Sequence, residues 1–356
     1  MRQINRQDRF RGVILGTAIG DAVGLPAEGI SRRRSERLFK GRWHHRLIFG
    51  RGMVSDDTEH TVFVAQSLLA HPASPEQFAG RLSRCLRWWL LSLPAGVGWA
   101  TLRALIRLCV GISPGKSGVW SAGNGPAMRA APVGAFFAES PDLRDACLRA
   151  ATRITHTDPR ALTGAKAVAD MVARSIREGG TQRPAWPEFL SLLRSAGEGD
   201  GEWLALTERL TAAWEKGLDV REFAAELGLD RGVTGYVYHT VPVALYAWYR
   251  HFGNFSETLC AVWDCGGDTD TTGAIAGALA GAVTGESGMP HDWVSGIRDW
   301  PRSLTVLRKI ADALAAKGGQ PDIRPVSYPV VGVLPRNLLF LVIVLLHGMR
   351  RLLPPY

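Results

Sequence analysis

Apolar residues recur at helical spacing through most of the chain, around Phe63, Leu68 and Leu69, across residues 102–110 and across residues 243–249. Side chains three and four apart share one face of a helix, so each stretch predicts a helix with a buried side. Strand-like alternation is scarce. Residues 43–54, a short mixed run broken by glycines, are the one candidate for extended structure. Helices separated by Pro and Gly turns predict an all-α fold, a compact single-domain multi-helix bundle.

Two segments carry a glycine at every fourth position: Gly12, Gly16, Gly20 and Gly24, then Gly273, Gly277, Gly281 and Gly285. A glycine inside a helix costs about 1 kcal/mol relative to alanine, so these stripes need compensation, and close backbone approach supplies it. Residues 273–285 are too few to cross a bilayer as a small-residue packing face, which takes about 20. The pattern predicts two buried central helices whose glycine faces meet neighbouring helices, or each other. Residues 321–356 read as an extension to a body spanning 1–320, punctuated by Pro321, Pro325, Pro329 and Pro335. Its unbroken apolar run, 338–346, is also shorter than a spanning helix requires. That leaves a docked terminal helix or strand, or a peripheral contact with a membrane or partner; the neighbouring Arg350-Arg351 fits either.

At 356 residues and 46% hydrophobic, the chain can bury a large core. Its net charge of +9 suits an anionic ligand but describes association rather than a site. Arg32-Arg33-Arg34 and Arg350-Arg351 lack interleaved aromatics or a nucleic-acid motif, so they read as solvated surface, with no nucleic-acid partner expected. Cys85, Cys109, Cys147, Cys260 and Cys265 show neither CxxC nor zinc spacing, which favours a reducing compartment and a cytoplasmic location. Arg2, Arg6, Arg9 and Arg11 ahead of Val13-Ile14-Leu15 imitate a secretion signal. Asp8, Asp21 and the interspersed glycines argue against one.

Two short clusters of hard oxygen donors carry the candidate chemistry. One is Cys265-Gly266-Gly267-Asp268-Thr269-Asp270-Thr271-Thr272-Gly273; the other is Ser55-Asp56-Asp57-Thr58. Magnesium and manganese favour carboxylate, hydroxyl and water oxygens, and often borrow ligands from substrate. Consecutive donors cannot share one helical face, so both clusters belong in turns at helix starts, at the positive end of the helix dipole. Simple N-capping would explain either cluster alone. Together, with Gly266-Gly267 permitting close backbone approach, they point to two halves of one metal site.

Gly111-Ile112-Ser113-Pro114-Gly115-Lys116-Ser117 resembles a Walker A loop, but its spacing fails by one residue and a helical segment precedes it, which excludes a nucleotide triphosphatase. The glycine-rich stretch continues to Gly125, ahead of a helix predicted near Pro126, an arrangement suited to phosphate oxygens. His156 precedes a helix predicted over 161–169; a lone histidine is more often a structural hydrogen-bonder. Tyr236, at another helix start, suits either core or ligand contact.

In order along the chain stand Phe10-Arg11-Gly12, Gly20-Asp21-Ala22-Val23-Gly24 with Glu28, Ser55-Asp56-Asp57-Thr58, Ser121-Ala122-Gly123-Asn124-Gly125 with Met128-Arg129, Thr155-His156, Gly235-Tyr236-Val237 and Gly267-Asp268-Thr269-Asp270-Thr271. In these motifs the chain resembles the ADP-ribosylglycohydrolase family from about residue 9 to 315. The resemblance implies an all-α catalytic domain with two Mg2+ or Mn2+ ions. Ser55, Asp56, Asp57, Asp268, Asp270 and Thr271 match the metal ligands; Ser55 stands where members often have threonine, which keeps the hydroxyl. Glu28 matches a gating or catalytic glutamate, and Glu28 and Asp57 are expected closest to the proton transfers. Ser121, Gly123, Asn124, Gly125, Met128, His156 and Tyr236 match substrate-contacting positions; His239 has no counterpart. The activity implied is removal of mono-ADP-ribose from a protein side chain, with arginine the first expectation. Serine-linked or small-molecule conjugates are alternatives, as is an immunity protein that occludes an ADP-ribosylating toxin. The expected partner is therefore an ADP-ribosylated protein or such a transferase toxin.

Overall fold

The two glycine stripes form the centre of the fold. Helices Arg6–Gly24 and Thr269–Thr284 run antiparallel, and a Cβ built on Gly12, Gly16 or Gly20 would lie 2.0, 2.1 or 2.0 Å from the carbonyl oxygen of Gly281, Gly277 or Gly273. No side chain fits at those distances, so the backbones touch, and the contact offsets the helix-propensity cost. The stripes therefore meet each other. Gly285 sits at the end of that contact, its Cα 2.9 Å from a Cβ built on Gly12. With φ at 66°, it ends the second helix in a conformation that favours glycine. The Arg9 guanidinium closes that same end, donating to Ala282 O (3.0 Å) and Val283 O (2.8 Å), where the helix dipole favours a cation. Arg11 pairs with Asp312. Arg6, Arg9, Arg11 and Val13-Ile14-Leu15, which imitate a leader, thus lie in one of the two central helices.

The computed structural model describes residues 4–39, 43–180, 182–317, 323–351 and 353. Arg2, Pro321 and the expected boundary at 320/321 lie outside them. The helices expected from apolar periodicity form as Asp56–Ala70, Pro159–Arg177 and Val237–Arg250, which pack against the central pair, and Trp99–Cys109, which packs further out against Pro75–Leu91. The helix expected near Pro126 is two short pieces, Gly125–Met128 and Ala131–Phe136. Pro132 enters the second piece in its first turn, where its missing N–H costs nothing, but it cannot continue the first. Residues 43–54 form no strand: Ile48 pairs with Arg51 and Gly52 with Ile297 as isolated bridges. Among the described residues extended pairing is limited to such bridges, so the all-α expectation holds.

The C-terminal segment forms a helix, Val333–Arg351. It is longer than the apolar run at 338–346, because Pro335 sits in its first turn, where proline is tolerated. By length and composition alone, Val330–Arg350 could cross a membrane, which corrects the limit drawn from the shorter run. One face of the helix is docked. Phe340 and Ile343 join Leu25, Leu47, Met53 and Ala95 in a small second core, and Asn337 Nδ2 donates to Ser92 O (2.8 Å). Arg336 is buried against Asp299, its Nε donating at 3.0 Å, and its guanidinium also donates to Val54 O.

Candidate functional site

Helices Asp56–Ala70 and Thr269–Thr284 begin beside each other, and the loop carrying Glu28 is stitched to the start of the second. Gly29 N donates to Gly267 O (2.8 Å), Gly267 N to Ile30 O (2.9 Å), and Asp268 N to Val233 O (2.8 Å). Gly267 makes these close crossings possible: its φ is 82°, and a Cβ there would lie 2.0 Å from Val233 O. The 120s loop is tied in similarly, through Asn124 N to Gly235 O (3.0 Å), Val237 N to Ala122 O (2.9 Å) and Val119 N to Thr155 O (3.1 Å). Distant motifs are thereby carried to one cleft.

Neither acidic cluster caps its own helix. Ser55 and Asp268 occupy the N-cap positions of the two helices and make no side-chain capping bond. Asp21, fully buried on the first helix, does that work for Asp56–Ala70. Its carboxylate accepts from Ser55 N (3.0 and 2.8 Å), Thr58 N (3.2 Å) and Thr58 Oγ1 (2.5 Å). The donors of the 55–57 cluster are thus left for another purpose.

The two clusters meet through Asp57. Its Oδ2 accepts from Ser55 Oγ (3.4 Å) and, 214 residues along the chain, from Thr271 Oγ1 (3.3 Å). Asp57 Oδ1 and Asp270 Oδ1 are buried without a hydrogen-bond partner, a costly condition for carboxylate oxygens. Burial, followed by Asp56, Asp21 and Asp268, pushes the Asp57 carboxyl well above the usual range. Burial, then Glu28, Asp268 and Asp57 do the same to Asp270, and burial, then Asp21, Glu28 and Glu59 to Asp56. Asp21 is raised by burial to about 6, against the lowering effect of its hydrogen bonds. Like charges this close need a cation or a shared proton. Among the described residues, no three His, Cys, Asp or Glu side chains already converge as a metal-holding group. The donors that could hold a cation are mixed: Ser55 and Thr271 hydroxyls with Asp56, Asp57, Asp268 and Asp270 carboxylates, a set suited to a hard ion that takes further ligands from water or substrate.

A cleft of about 540 Å³ joins this acidic set to the glycine loop. Glu28, Asp56, Asp268, Asp270 and Thr271 line it together with Ser121, Gly123, Asn124, Gly125, Met128 and His156. Ser55 and Asp57 are buried and not among the lining residues, because successive residues at a helix start point in different directions. Tyr236 is not on the lining either. Its hydroxyl donates to Glu202 Oε1 (2.6 Å) and accepts from Arg160 Nη1 (3.3 Å), while its backbone bridges to Gly123. Asn124 Nδ2 holds Asp268 Oδ2 (2.6 Å) and Thr240 Oγ1 (3.0 Å), so this side chain orients an acid. The amides of Gly123 and Asn124 are engaged by Ser121 Oγ and Gly235 O, which leaves fewer loop N–H groups for phosphate than the glycine pattern suggests.

His156 is buried against the loop; a Cβ on Gly123 would lie 3.0 Å from its Nε2. Burial, then the nearby Arg129, lowers its pKa to about 3. Arg129 Nη2 donates to Thr155 Oγ1 (2.6 Å), which lies 2.9 Å from His156 Nδ1. A hydroxyl already accepting from arginine donates its own proton onward, and this assignment leaves a neutral ring with N–H at Nε2. His156 is thus a hydrogen-bond donor, not an acid. Two residues have places at the site that the sequence did not assign: Asp21, whose signal was an acid inside an apolar glycine-striped helix, and Trp99, an exposed indole on the cleft lining preceded by Gly96-Val97-Gly98.

Comparison with known proteins agrees with this architecture. The family model for ADP-ribosylglycohydrolase matches residues 2–323. The ADP-ribosyl-dinitrogen reductase glycohydrolase of Rhodospirillum rubrum is 28% identical over 325 residues, covering 88% of this chain and 97% of its own. The ADP-ribosylarginine hydrolase Tri1 of Pseudomonas putida is 26% identical over 336 residues, covering 88% and 80%. A solved structure described as an ADP-ribosylglycohydrolase-related protein complex superposes with a TM-score of 0.62 at 29% identity, over 88% of this chain and 97% of that one. With the match spanning most of its length and the same all-α fold, the chain belongs to the ADP-ribosylglycohydrolase family of hydrolases.

Proposed function

We propose that this cleft removes mono-ADP-ribose from modified arginine side chains of proteins, using two divalent cations, magnesium or manganese, held between the acidic clusters. The observation that carries this reading is the pair of buried, unpartnered carboxylate oxygens, Asp57 Oδ1 and Asp270 Oδ1, beside the Ser55 and Thr271 hydroxyls at two converging helix starts. Arginine is favoured because the R. rubrum and P. putida relatives are named for ADP-ribosyl-dinitrogen reductase and ADP-ribosylarginine. The five free cysteines suit a reducing cytoplasm.

In this reading Ser55, Asp56, Asp57, Asp268, Asp270 and Thr271 hold the cations, which supply positive charge that orients the ribose hydroxyls and makes water a better nucleophile. Asn124 fixes Asp268 within that set. Water adds its oxygen to the anomeric carbon, the bond from that carbon to the guanidine nitrogen breaks, and one proton reaches the departing nitrogen. Glu28 moves that proton in this reading, which its exposed position on the cleft lining supports. Asp57 acts from behind the lining, positioning the donor set. His156 donates from a neutral ring to the phosphates, and Trp99 offers a plane for the adenine to stack on. Arginine-, serine- and glutamate-linked ADP-ribosyl peptides, each assayed with magnesium and with manganese, test it. Release from arginine above the others is expected; preference for serine would overturn the linkage. Protection against an ADP-ribosylating toxin by an Asp270→Ala variant that has lost hydrolysis would favour occlusion instead.

A further inference from the structure

The C-terminal helix buries Val333, Arg336, Asn337, Phe340 and Ile343 along a narrow seam and leaves the rest of its surface apolar and open. Leu338, Leu339, Val342, Leu345, Leu346 and Met349 are each 46% to 57% exposed. An apolar face of that extent is unusual on a water-facing surface. It is also flanked. Beside Ser92, which receives Asn337, stand Trp88 (72% exposed), Leu91 and Leu93; beside Leu47, whose carbonyl meets His347, stands Phe49 (98% exposed), with Trp300 further along.

Two details show that the flanks are built outward. Phe49 and Leu93 are the non-glycine residues with positive φ among those described, at 44° and 55°. A backbone held there by its surroundings carries a cost of about 1–3 kcal/mol, and at both positions it presents a large apolar side chain to solvent. The helix also lies between two mainly apolar hollows of about 650 and 750 Å³, and each includes arginines: Arg81 and Arg84 in one, and the exposed Arg298 in the other, where Arg308 is paired with Glu286. At the far end Arg46 lies close enough to Arg350 for the two guanidiniums to repel, and Arg34 donates to Leu353 O.

An apolar helical face with tryptophans beside it and arginines at its rim matches the interface of a bilayer that carries negative headgroups. A symmetric second copy would set these arginines against themselves. A spanning arrangement would have to tear Arg336 from Asp299 and bring it into hydrocarbon. We propose that the C-terminal helix, with Phe49, Trp88 and Trp300, docks the protein in the plane of an anionic phospholipid membrane. This surface is separate from the cleft and stands whether or not the proposed reaction does.

Flotation of the full chain with vesicles of phosphatidylcholine alone, or mixed with phosphatidylglycerol, tests it. The protein should float with the mixed vesicles, bind at least about 10-fold less to phosphatidylcholine alone, and be released by salt. Leu338→Asp/Leu345→Asp, at exposed positions, should bind at least about 10-fold less with an unchanged melting temperature. Arg84→Glu/Arg298→Glu should weaken binding to the mixed vesicles without altering the apolar face. The proposal is overturned if the parent floats with neither vesicle, or if the leucine variant floats as the parent does. It is equally overturned if the parent is a dimer that the leucine variant splits, or if bound protein resists salt and alkaline carbonate and yields only to detergent.

Discussion

Asp21 shows how a single side chain sets the character of the site. It takes over the helix start that Ser55 and Asp56 would otherwise cap, so their oxygens remain for a cation. Asp21→Asn keeps the shape and removes the charge; activity and metal affinity should each fall about 10- to 100-fold, as when the partner of a metal ligand is lost. Calorimetric titration with manganese checks the affinity directly, and an unchanged affinity would contradict the role. His156 makes a different prediction. Its pKa is 6.5 in an unfolded chain and about 3 in the fold, so between those values the unfolded state binds the extra proton. Its contribution to stability therefore falls as pH drops below 6.5 and levels off near 3, with no effect above 6.5. Unfolding curves from about pH 7 to 4 should be flatter for His156→Gln than for the parent, and the activity profile between about pH 5 and 8 should show no ionisation belonging to this ring. Neither behaviour was legible in a lone histidine, because burial by residues distant in sequence decides it.

Among the elements, the glycine-striped pair was the most legible, since four-residue spacing has a direct geometric meaning on a helix. Its tightness makes it brittle. Gly16→Ala puts a methyl 2.1 Å from Gly277 O, and overpacking of this kind costs about 1–3 kcal/mol or more. A loss of at least several degrees in melting temperature is expected; none at all would mean that the helices are not in contact. Gly277→Leu should leave no soluble protein. Helix starts were less legible. Pro132 divides a region that looked like one helix into two, and Trp99 reaches the cleft although its helix carries no recognisable motif. Periodicity reports which face of a helix is buried, and not which cavity its first residue enters.

At the scale of the whole molecule, the C-terminal segment is joined to the site. Asp299 Oδ2 accepts from Val54 N (3.0 Å), Arg336 donates to Val54 O, and Ser55 follows. Arg336 and Arg302 also face buried Glu59 on the helix that begins at Asp56. Arg336→Met leaves Asp299 and Glu59 buried with less compensation, and a loss of about 3–5 kcal/mol is expected, read by denaturant unfolding together with reduced hydrolysis. Wild-type stability would show that the extension is a passive tail. This coupling was hidden in the sequence, where prolines set the segment apart and its buried arginine looked like any other. The proposed hydrolysis depends most heavily on the paired acidic clusters. Its most direct test is ADP-ribose release from an arginine-modified peptide by purified protein stripped with chelator, then supplied with magnesium or manganese. Release should be absent after stripping, return with either ion in the parent, and fail to return in Asp57→Asn or Asp270→Asn; full activity in metal-free buffer would contradict it.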